Sequence, residues 1–410
     1  MLTNREIVLG VTGGIAAYKA AELCRELLRR GAKVQVVMTK NAAQFVTPLT
    51  FQALSGRPVV TDMFEPWPGE GIGHISLADR AQLVLIAPAT ANIIGKIANG
   101  LADDMLSTLV MATKAPVLFA PAMNVNMYEN LIVQENLKKL LRRGYRLVEP
   151  AVGELACGWE GKGRLAELED IIEEVECALS DQDFLGKRVM VTAGPTREAI
   201  DPVRYLTNYS SGKMGYAVAR VARRRGADTV LISGPTSLRP PAGVRFVSVT
   251  NAREMFKASL KEAEWADVIV KASAVADYRP LNAVTKKIKK VKGEEKLSLE
   301  LTENPDILFE IGRRKAHRIL VGFAAETSDL VKNARTKLKE KNLDLIVAND
   351  VTKPGAGFNA DTNIVLIVDQ EGKAHRWPRM TKVDVAEKIF DRIQTLLKKQ
   401  KKRKDEPSSA

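Results

Sequence analysis

The stretch Ile7-Val8-Leu9-Gly10-Val11-Thr12-Gly13-Gly14-Ile15-Ala16 decides the fold of the first half of the chain. Its first five residues form an apolar run, its glycines break that run, and leucines at helical spacing then continue to Arg30. Gly31 ends the helix, and Val34 to Met38 forms the next apolar run. A strand, a glycine turn, a helix and a second strand in this order predict parallel pairing through a right-handed crossover.

The same pattern recurs near residue 188. Arg188 to Thr192 predicts a strand, Ser211-Gly212-Lys213-Met214-Gly215 opens a helix, and Val230 to Ser233 predicts another strand. The two helices end alike, at Arg29-Arg30-Gly31-Ala32 and at Arg224-Arg225-Gly226-Ala227. We therefore predict an α/β protein with two doubly wound, Rossmann-like parallel-sheet domains.

The boundary between the two domains is predicted at Asp181-Gln182-Asp183, after an amphipathic helix and before the second domain's first strand. The predicted parts are residues 1–180, residues 181–397 and a basic disordered tail, 398–410. Two antiparallel hairpins are expected as additions to the second domain, over 288–301 and over 364–377.

The composition is that of a globular protein. The chain has 410 residues, of which 45% are hydrophobic and 27% charged, so fibrous, disordered and disulfide-stapled classes are excluded. Cys24, Cys157 and Cys177 are too scattered for a disulfide framework or a thiolate zinc site, which fits a reducing cytoplasm. We expect no signal peptide, no membrane span and a cytoplasmic location.

The net charge of +13 is unevenly distributed. Residues 1–180 carry 18 basic and 20 acidic side chains, whereas residues 181–410 carry 44 and 29. A basic half predicts a polyanionic partner, either nucleotide phosphates or nucleic acid, although a solvated lysine surface accounts for part of the charge. Because only 5% of residues are aromatic, few rings are present to stack on bases, which disfavours nucleic acid.

Four features of the first half suggest chemistry. Thr12-Gly13-Gly14-Ile15 is placed to receive a phosphate at a helix start, or simply makes a tight turn. His74 is a candidate proton acceptor or an exposed histidine. The amides of Pro121 to Tyr128 can orient a carboxylate or belong to a polar loop. Cys157, in the glycine-rich stretch Gly153 to Gly163, is a thiol that can reach a substrate or an ordinary surface cysteine.

Together these motifs resemble the flavin-dependent cysteine decarboxylases. The matching residues, in chain order, are Gly13-Gly14-Ile15-Ala16-Ala17-Tyr18-Lys19, His74, Pro121-Ala122-Met123-Asn124 with Met127-Tyr128, and Ala156-Cys157-Gly158 with Gly161, Gly163 and Arg164. The resemblance implies a flavodoxin-like flavoprotein domain that binds FMN. The residues it places around FMN are Gly13, Gly14, Ile15, Thr39, Ser107 and Thr108.

The same resemblance implies a reaction. The flavin would oxidise a cysteinyl thiolate to a thioaldehyde, and this electron sink makes loss of the neighbouring carboxylate feasible. His74 would be the base, Asn124 would hold the carboxylate, and Cys157 would return a proton. A flavin prenyltransferase-like first domain is the alternative, and His74 together with Cys157 argues against it.

The second half contains several candidate anion sites. Asn208 to Gly215 runs into a helix start, where a serine N-cap is the simpler explanation. Gly194 to Arg204 is a polar insertion of the kind that serves a ligand. Lysines cluster in a predicted strand, Lys286 to Lys292, and at Lys337 and Lys341, four residues apart on a predicted helix. Two lysine groups beside a helix start favour a phosphate site over a solvated surface.

With its second half, nearly the whole chain resembles the bifunctional phosphopantothenoylcysteine decarboxylase/phosphopantothenate–cysteine ligase family of coenzyme A biosynthesis. The resemblance implies a nucleotide-binding ligase domain that uses CTP and Mg²⁺ to join 4′-phosphopantothenate to cysteine through an acyl-cytidylate. The CTP-binding residues it implies are Ser273, Ala274, Asp277, Lys287, Pro305, Asp306, Ile307, Leu308, Phe323, Lys337 and Lys341.

Four roles in the ligase reaction follow from the same resemblance. Lys287 would neutralise charge that develops during cytidylate formation, Asn208 would hold the acyl intermediate, and Arg204 would assist. Asp277 is the nearest carboxylate for the metal. The family further implies decarboxylase trimers joined by ligase dimers into a dodecamer, whereas the choice of CTP over ATP does not follow from the residues.

Overall fold

The computed structural model describes residues 2–64, 73–154, 158–289, 297–326, 329–350, 357 and 359–405. The chain divides into two compact units, Met1–Ser180 and Asp181–Ala410, here called the first and second units.

The first unit is a five-stranded parallel sheet covered by helices on both faces. Its strands are β1 Glu6–Val11, β2 Lys33–Met38, β3 Leu83–Ala89, β4 Val117–Pro121 and β5 Arg146–Leu147, in the order β2-β1-β3-β4-β5, with a separate hairpin of β6 Ala151–Glu154 and β7 Glu160–Arg164. Its helices are α1 Ala17–Arg29, α2 Pro48–Ser55, α3 Gly73–Arg80, α4 Ala91–Ala98, α5 Met105–Ala112, α6 Val125–Glu129, α7 Leu131–Arg142 and α8 Leu168–Leu179, and a short 3-10 helix spans Ala42–Gln44.

Alternation along the central strand β3 builds two cores. Leu83 and Leu85 pack with α1 and α8 on one face, whereas Val84 and Ile86 pack with α4 and α5 on the other. All seven residues of β3 are buried, as expected of a parallel strand covered on both sides. Burial of each large aliphatic side chain contributes about 1.5–3 kcal/mol, so the two cores fix the sheet order.

The second unit contains an eight-stranded sheet in the order β12-β11-β8-β13-β16-β17-β19-β20. Its strands are β8 Arg188–Ala193, β9 Arg197–Ala199, β10 Tyr205–Thr207, β11 Asp228–Ser233, β12 Arg245–Ser248, β13 Val268–Lys271, β14 Tyr278–Pro280, β15 Leu301–Glu303, β16 Ile319–Glu326, β17 Leu345–Asp350, β18 Thr362–Asn363, β19 Val365–Asp369, β20 Ala374–Arg376 and β21 Met380–Thr381. Its helices are α9 Lys213–Arg224, α10 Ala252–Trp265, α11 Ile307–Arg313, α12 Leu330–Glu340 and α13 Lys382–Asp405.

The first six strands of this sheet are parallel, and β19 and β20 add an antiparallel hairpin at its edge. The predictions of a doubly wound domain and of a hairpin over 364–377 are therefore confirmed. Three two-stranded ladders, β9–β10, β14–β15 and β18–β21, stand apart from the main sheet.

The other predicted hairpin, over 288–301, is wrong in its described part. Its turn lies outside the described residues, and 286–289 and 297–300 form no strand. Leu301–Glu303 pairs instead with Tyr278–Pro280. Leu297 and Leu299 remain exposed, so the apolar alternation that suggested a strand has no core to cover. The predicted strand over 286–292 is also wrong in its described residues, because 286–289 belong to no strand and their lysines are exposed.

The predicted disordered tail, 398–410, is wrong in its described part, because α13 continues to Asp405, whereas 406–410 lie outside the described residues. Its early turns are anchored by buried side chains, among them Val385, Ile389, Phe390 and Ile393. Lysine and leucine favour the helical state, and cations near a helix C-terminus complement its dipole, so the helix extends into the basic run. None of the helices in the described part of the chain combines the length and the apolar character needed to cross a membrane.

An ionic cluster joins the start of the second unit to α9 and α13. Arg225 is only 7% exposed and contacts Asp183 at 2.5 Å, Asp391 at 2.7 Å and Glu387 at 3.7 Å. Glu387 Oε1 is buried with no hydrogen-bond partner among the described residues. Burial raises the pKa of Glu387 to about 7 against the attraction of Arg225.

We predict that Glu387→Gln stabilises the protein at pH 8 by ~1 kcal/mol. Since the folded state raises this pKa, it binds more protons than the unfolded state between about pH 4.5 and pH 7, and wild-type stability falls as the pH rises through that window. Glutamine stays neutral, while Arg225 keeps its other two carboxylates. Urea unfolding at pH 5 and pH 8, with the exposed Glu264→Gln as control, measures the difference. A variant less stable than wild type at pH 8 contradicts the prediction.

Candidate functional sites

A cavity of about 1400 Å³ opens at the carboxyl edge of the first unit's sheet. Its walls come from the loops after β1, β2, β3 and β4 and from the hairpin strand β7. Ligands of doubly wound proteins bind at this edge of the sheet. The volume exceeds that of most small-molecule sites, so it has room for a large cofactor together with a substrate.

The glycine loop after β1 is held rigidly beside this cavity. Thr12 is buried, and its hydroxyl donates to Pro88 O at 2.7 Å and accepts from Thr90 N at 3.1 Å. A Cβ on Gly13 would overlap the Asn41 side chain and lie 2.8 Å from that residue's carbonyl carbon. Gly13 therefore has a packing reason to be glycine, and the loop presents its backbone to the cavity.

The β6–β7 hairpin is fitted closely to the loop that carries Asn124. Met123 N donates to Gly163 O at 2.9 Å, and a Cβ on Gly163 would overlap the carbonyl oxygen of Met123. A Cβ on Gly161 would lie 2.7 Å from Val125 Cγ2. These glycines therefore allow the hairpin to pack closely against that loop.

Cys157 lies outside the described residues. Glu154 and Gly158, the described residues nearest to it on each side, both line the cavity.

Asn124 lines the cavity as the N-cap of α6. Its Oδ1 accepts from Asn126 N at 2.8 Å, which fixes the plane of the amide. Tyr128 of the same motif is buried, and its hydroxyl donates to Glu149 at 3.4 Å. Burial raises the pKa of Tyr128, with Glu149 adding to the effect. The motif thus combines one amide at the cavity with an aromatic side chain in the core.

The predicted flavin residues divide into two groups. The residues Gly13, Gly14, Ile15 and Thr39 line the cavity together with Asn124. Ser107 and Thr108 are not among the described lining residues, because Ser107 is fully buried in a capping box with Asp104 and Thr108 donates to Ala102 O at 3.2 Å.

His74 is the second residue of α3 and also falls outside the described lining of the cavity. Its Nδ1 is buried and has no hydrogen-bond partner within the described part of the chain. An unpaired buried nitrogen costs about 1–3 kcal/mol, which makes this ring a candidate functional group.

The sequence analysis missed an ionic group in the cavity wall. Lys96 contacts Asp103 at 2.7 Å and Asp104 at 2.8 Å. Burial raises the pKa of Asp104, but hydrogen bonds from Lys96 and Ser107 outweigh it and the pKa is lowered. The signal in the sequence was an Asp-Asp pair just before an apolar helix.

In the second unit, the loop after β13 meets the loop after β8. Ala274 N donates to Gly194 O at 2.9 Å, and the hydroxyls of Thr192 and Ser273 are 2.8 Å apart. Asn208 Nδ2 donates to Val275 O at 3.0 Å. The structure therefore places Asn208 close to Ser273 and Ala274.

A second group of predicted residues surrounds Lys271, the last residue of β13. Lys341 Nζ lies 2.7 Å from Asp306, which caps α11, and Lys271 Nζ donates to Ser273 O at 3.2 Å. Burial lowers the pKa of Lys271 to about 8, and repulsion from Lys341 and Lys337 adds to the effect while Asp306 and Asp277 oppose it. The sequence analysis missed Lys271, whose signal was a lysine ending an apolar strand.

Other predicted residues contribute differently. Ile307 and Leu308 are buried in the core, and Phe323 packs against the core on the other face of the sheet, so Ile307 and Leu308 offer a ligand only their backbone. Lys287 is exposed, and Arg204 is paired with Asp201 at 2.6 Å.

Metal binding was predicted at Asp277. The described residues contain no group of three or more His, Cys, Asp or Glu side chains placed to hold a metal ion. Mg²⁺ is commonly held by one or two carboxylates together with substrate phosphates, so Asp277 fits only with ligands from a nucleotide.

The comparisons define the class of protein. Residues 1–180 match the Flavoprotein family, and residues 184–397 match the DNA/pantothenate metabolism flavoprotein C-terminal domain. The coenzyme A biosynthesis bifunctional protein CoaBC of Bacillus subtilis (strain 168) is 51% identical over 402 residues, 97% of this chain and 98% of that protein. CoaBC of Vibrio cholerae serotype O1 is 49% identical over 393 residues, 96% and 98%. A crystal structure of the C-terminal domain of CoaBC is 42% identical, covers 53% of this chain and 100% of that one, and has a TM-score of 0.46.

The chain belongs to the family of bifunctional coenzyme A biosynthesis proteins. It is an enzyme with a flavoprotein decarboxylase domain followed by a ligase domain. The predicted resemblance is confirmed, and it prevails over the prenyltransferase-like and nucleic-acid-binding alternatives.

We predict that Gly163→Ala weakens flavin binding about tenfold, equivalent to ~1.4 kcal/mol, because the added Cβ displaces Met123 and with it Asn124. Gly153→Ala is the matched control, since Gly153 has a similar φ of 152° but its Cβ would meet nothing closer than 3.7 Å. Titration of each variant with flavin, followed by visible absorbance, gives the affinities. Equal affinities for the two variants contradict the packing role.

Proposed function

We propose that the second unit joins 4′-phosphopantothenate to cysteine with CTP, and that the first unit decarboxylates the product, phosphopantothenoylcysteine, to 4′-phosphopantetheine with FMN. One observation carries the proposal: the first unit's cavity is lined by the glycine loop, by Asn124 and by Glu154 and Gly158, which flank the Cys157 segment. The family of the chain supplies the coenzyme A context.

The cavity fits FMN in size and in its glycine cradle. The loop between β1 and α1 would face the cofactor with Gly13, Gly14 and Ile15. Thr39, just after β2, would face it as well. Met105 and Leu106 line the cavity, and Ser107 and Thr108 follow them on α5. Ser107 and Thr108 would therefore contribute to the flavin site indirectly, by holding this part of the cavity wall in place. Bound FMN supplies a two-electron acceptor for the substrate thiolate and returns the electrons later.

The protein's own groups would then manage the carboxylate and the protons. Asn124, held by its bond to Asn126 N, would orient the substrate carboxylate without reorganising. His74 would accept a proton through its Nδ1, which has no hydrogen-bond partner among the described residues. After carbon dioxide leaves the oxidised substrate, Cys157 would protonate the resulting enethiolate carbon.

In the second unit, the carboxylate of 4′-phosphopantothenate would attack the α-phosphate of CTP and release pyrophosphate. The amine of cysteine would then displace CMP from the acyl-cytidylate. Lys287 would offset the charge that develops in the first step, and Asn208 would hold the acyl group. Lys337, Lys341 and the backbone from Ser273 to Asp277 would hold the nucleotide, with Asp277 and the phosphates sharing Mg²⁺.

Exposed apolar side chains support an oligomer. Ile15, Tyr18 and Phe64 line the cavity and are 60%, 58% and 86% exposed, and Leu131 and Ile132 are 78% and 68% exposed. Such a concentration favours contact with another subunit. We propose trimers of the first unit and dimers of the second, which together form a dodecamer in the reducing cytoplasm.

The test is incubation of the protein with 4′-phosphopantothenate, cysteine, Mg²⁺ and either CTP or ATP, following pyrophosphate and carbon dioxide. We predict CTP-dependent pyrophosphate release, and Lys287→Gln should slow it by ~10²-fold because a transition-state contact is lost. Lys261→Gln, an exposed lysine on α10 that belongs to neither predicted lysine group, is the control. Unchanged release by Lys287→Gln rejects its role, and no release by wild type rejects the ligase assignment.

We predict that Cys157→Ser blocks the last step of decarboxylation while pyrophosphate release continues. A serine hydroxyl is a far weaker acid than a thiol, so the oxidised, decarboxylated substrate accumulates unreduced. Cys24→Ala is the control, because burial raises the pKa of Cys24 to about 11 and leaves it inert. Mass spectrometry of the product distinguishes the two species, and normal 4′-phosphopantetheine from Cys157→Ser removes the proton-donor role.

A further inference from the structure

The carboxylate of Asp201, within the polar insertion Gly194 to Arg204, is the centre of a hydrogen-bond group. It lies in the turn between β9 and β10, and its side chain is fully buried. Oδ1 accepts from Val203 N and Arg204 N, both at 2.8 Å. Oδ2 accepts from Arg204 Nε at 3.1 Å, Arg204 Nη2 at 2.6 Å and Ile288 N at 3.1 Å. The hydrogen bonds from Arg204 and these amides outweigh desolvation and hold the pKa of Asp201 well below its usual range.

The last of these bonds ties the turn to a distant segment. Arg204 Nη2 also donates to Ile288 O at 2.9 Å, and Val284 N donates to Ile200 O at 3.1 Å. Both backbone groups of Ile288 are thus bound by one ion pair. Residues 286–289 belong to no strand, so these contacts replace the ladder that would otherwise fix the segment.

Lys287 is the residue just before Ile288 and is exposed. A lysine side chain is long and flexible, so the position of its ammonium group depends first on a fixed backbone. Interactions that act in a transition state lose most of their effect when the geometry drifts by an ångström.

We propose that Asp201 and Arg204 are positioning residues that hold Lys287 for cytidylate formation, an inference that rests on the proposed function of Lys287. The Arg204 guanidinium is committed to Asp201 and to Ile288 O, so its contribution to catalysis passes through Lys287. Direct contact between Arg204 and the acyl intermediate is not required.

A double-mutant cycle on pyrophosphate release by the full-length enzyme tests the coupling. We expect Asp201→Asn to slow release about tenfold, Lys287→Gln about 100-fold, and the double variant no more than Lys287→Gln alone, because Asp201 has nothing to position once the lysine is gone. Arg204→Lys should resemble Asp201→Asn, since an ammonium group cannot bridge Asp201 and Ile288 O as the guanidinium does. Independent effects that multiply to about 1000-fold, or a normal rate for Asp201→Asn, overturn the proposal.

The matched control is Asp267→Asn. Asp267 accepts from Arg188 N at 3.0 Å and pairs with the Arg188 guanidinium at 2.9 Å, but it lies beside the start of β8, at the opposite edge of the sheet. We expect normal pyrophosphate release from this variant. A tenfold loss in Asp267→Asn as well assigns the effect to general stability and overturns the proposal.

Amide hydrogen exchange without substrates gives a readout that is independent of activity. Residues 284–289 should exchange faster in Asp201→Asn and in Arg204→Lys than in wild type or Asp267→Asn. Unchanged exchange overturns the positioning role even when activity falls. If exchange is faster but Lys287→Gln keeps full activity, Asp201 and Arg204 do hold the segment 284–289, and the proposed function of Lys287 is rejected. Failure of the positioning role and failure of the proposed function therefore give different results.

Discussion

A threonine hydroxyl at the end of the first strand of each unit ties together the loops that form its site. In the first unit, Thr12 bonds to Pro88 O and Thr90 N, at the end of the neighbouring strand β3. In the second, Thr192 Oγ1 accepts from Ser273 N at 3.3 Å, just beyond the neighbouring strand β13. Both hydroxyls are buried, where an unmade hydrogen bond costs about 1–3 kcal/mol, so neither loop moves without a penalty. These bonds therefore restrain the loops that they join at the carboxyl edge of each sheet.

Because these loops are restrained, small side chains beside them can fit closely against their neighbours. Because the loop after β1 is fixed, Gly13 packs against Asn41 and presents its backbone to the cavity. Because the loop after β13 is fixed, Asn208 reaches Val275 O and lies beside Ala274. Less of the free energy of binding is then lost to ordering the loops, as in other preorganised sites.

The elements that were predictable from sequence are those with local signals. The runs Ile7–Val11 and Arg188–Thr192 alternate with amphipathic helices, and periodicity needs no distant partner. The motif residues Gly13 and Asn124 were found because their residue types stand out. The polar insertion that contains Asp201 was also noticed, but the contact of Asp201 with Ile288 was not predictable, because Ile288 is 87 residues away and the contact is to a backbone N–H. The helix through the basic run was missed because its anchor, the buried face of α13, lies earlier in the chain.

The positive charge of the second half is only partly available to a ligand. Arg225, Lys315 and Lys341 each lie within 2.7 Å of a carboxylate, so they contribute to the fold as well as to the net charge. Lys271 differs from these cations, because burial and the neighbouring lysines disfavour its charged form and lower its pKa. In the proposed ligase reaction, a triphosphate would relieve that repulsion, and Asp306 would compete with it for Lys341. The Asp306 carboxylate offsets the repulsion between Lys271 and Lys341. In the proposed ligase reaction, Mg²⁺ bound with the nucleotide would weaken the competition of this carboxylate for Lys341.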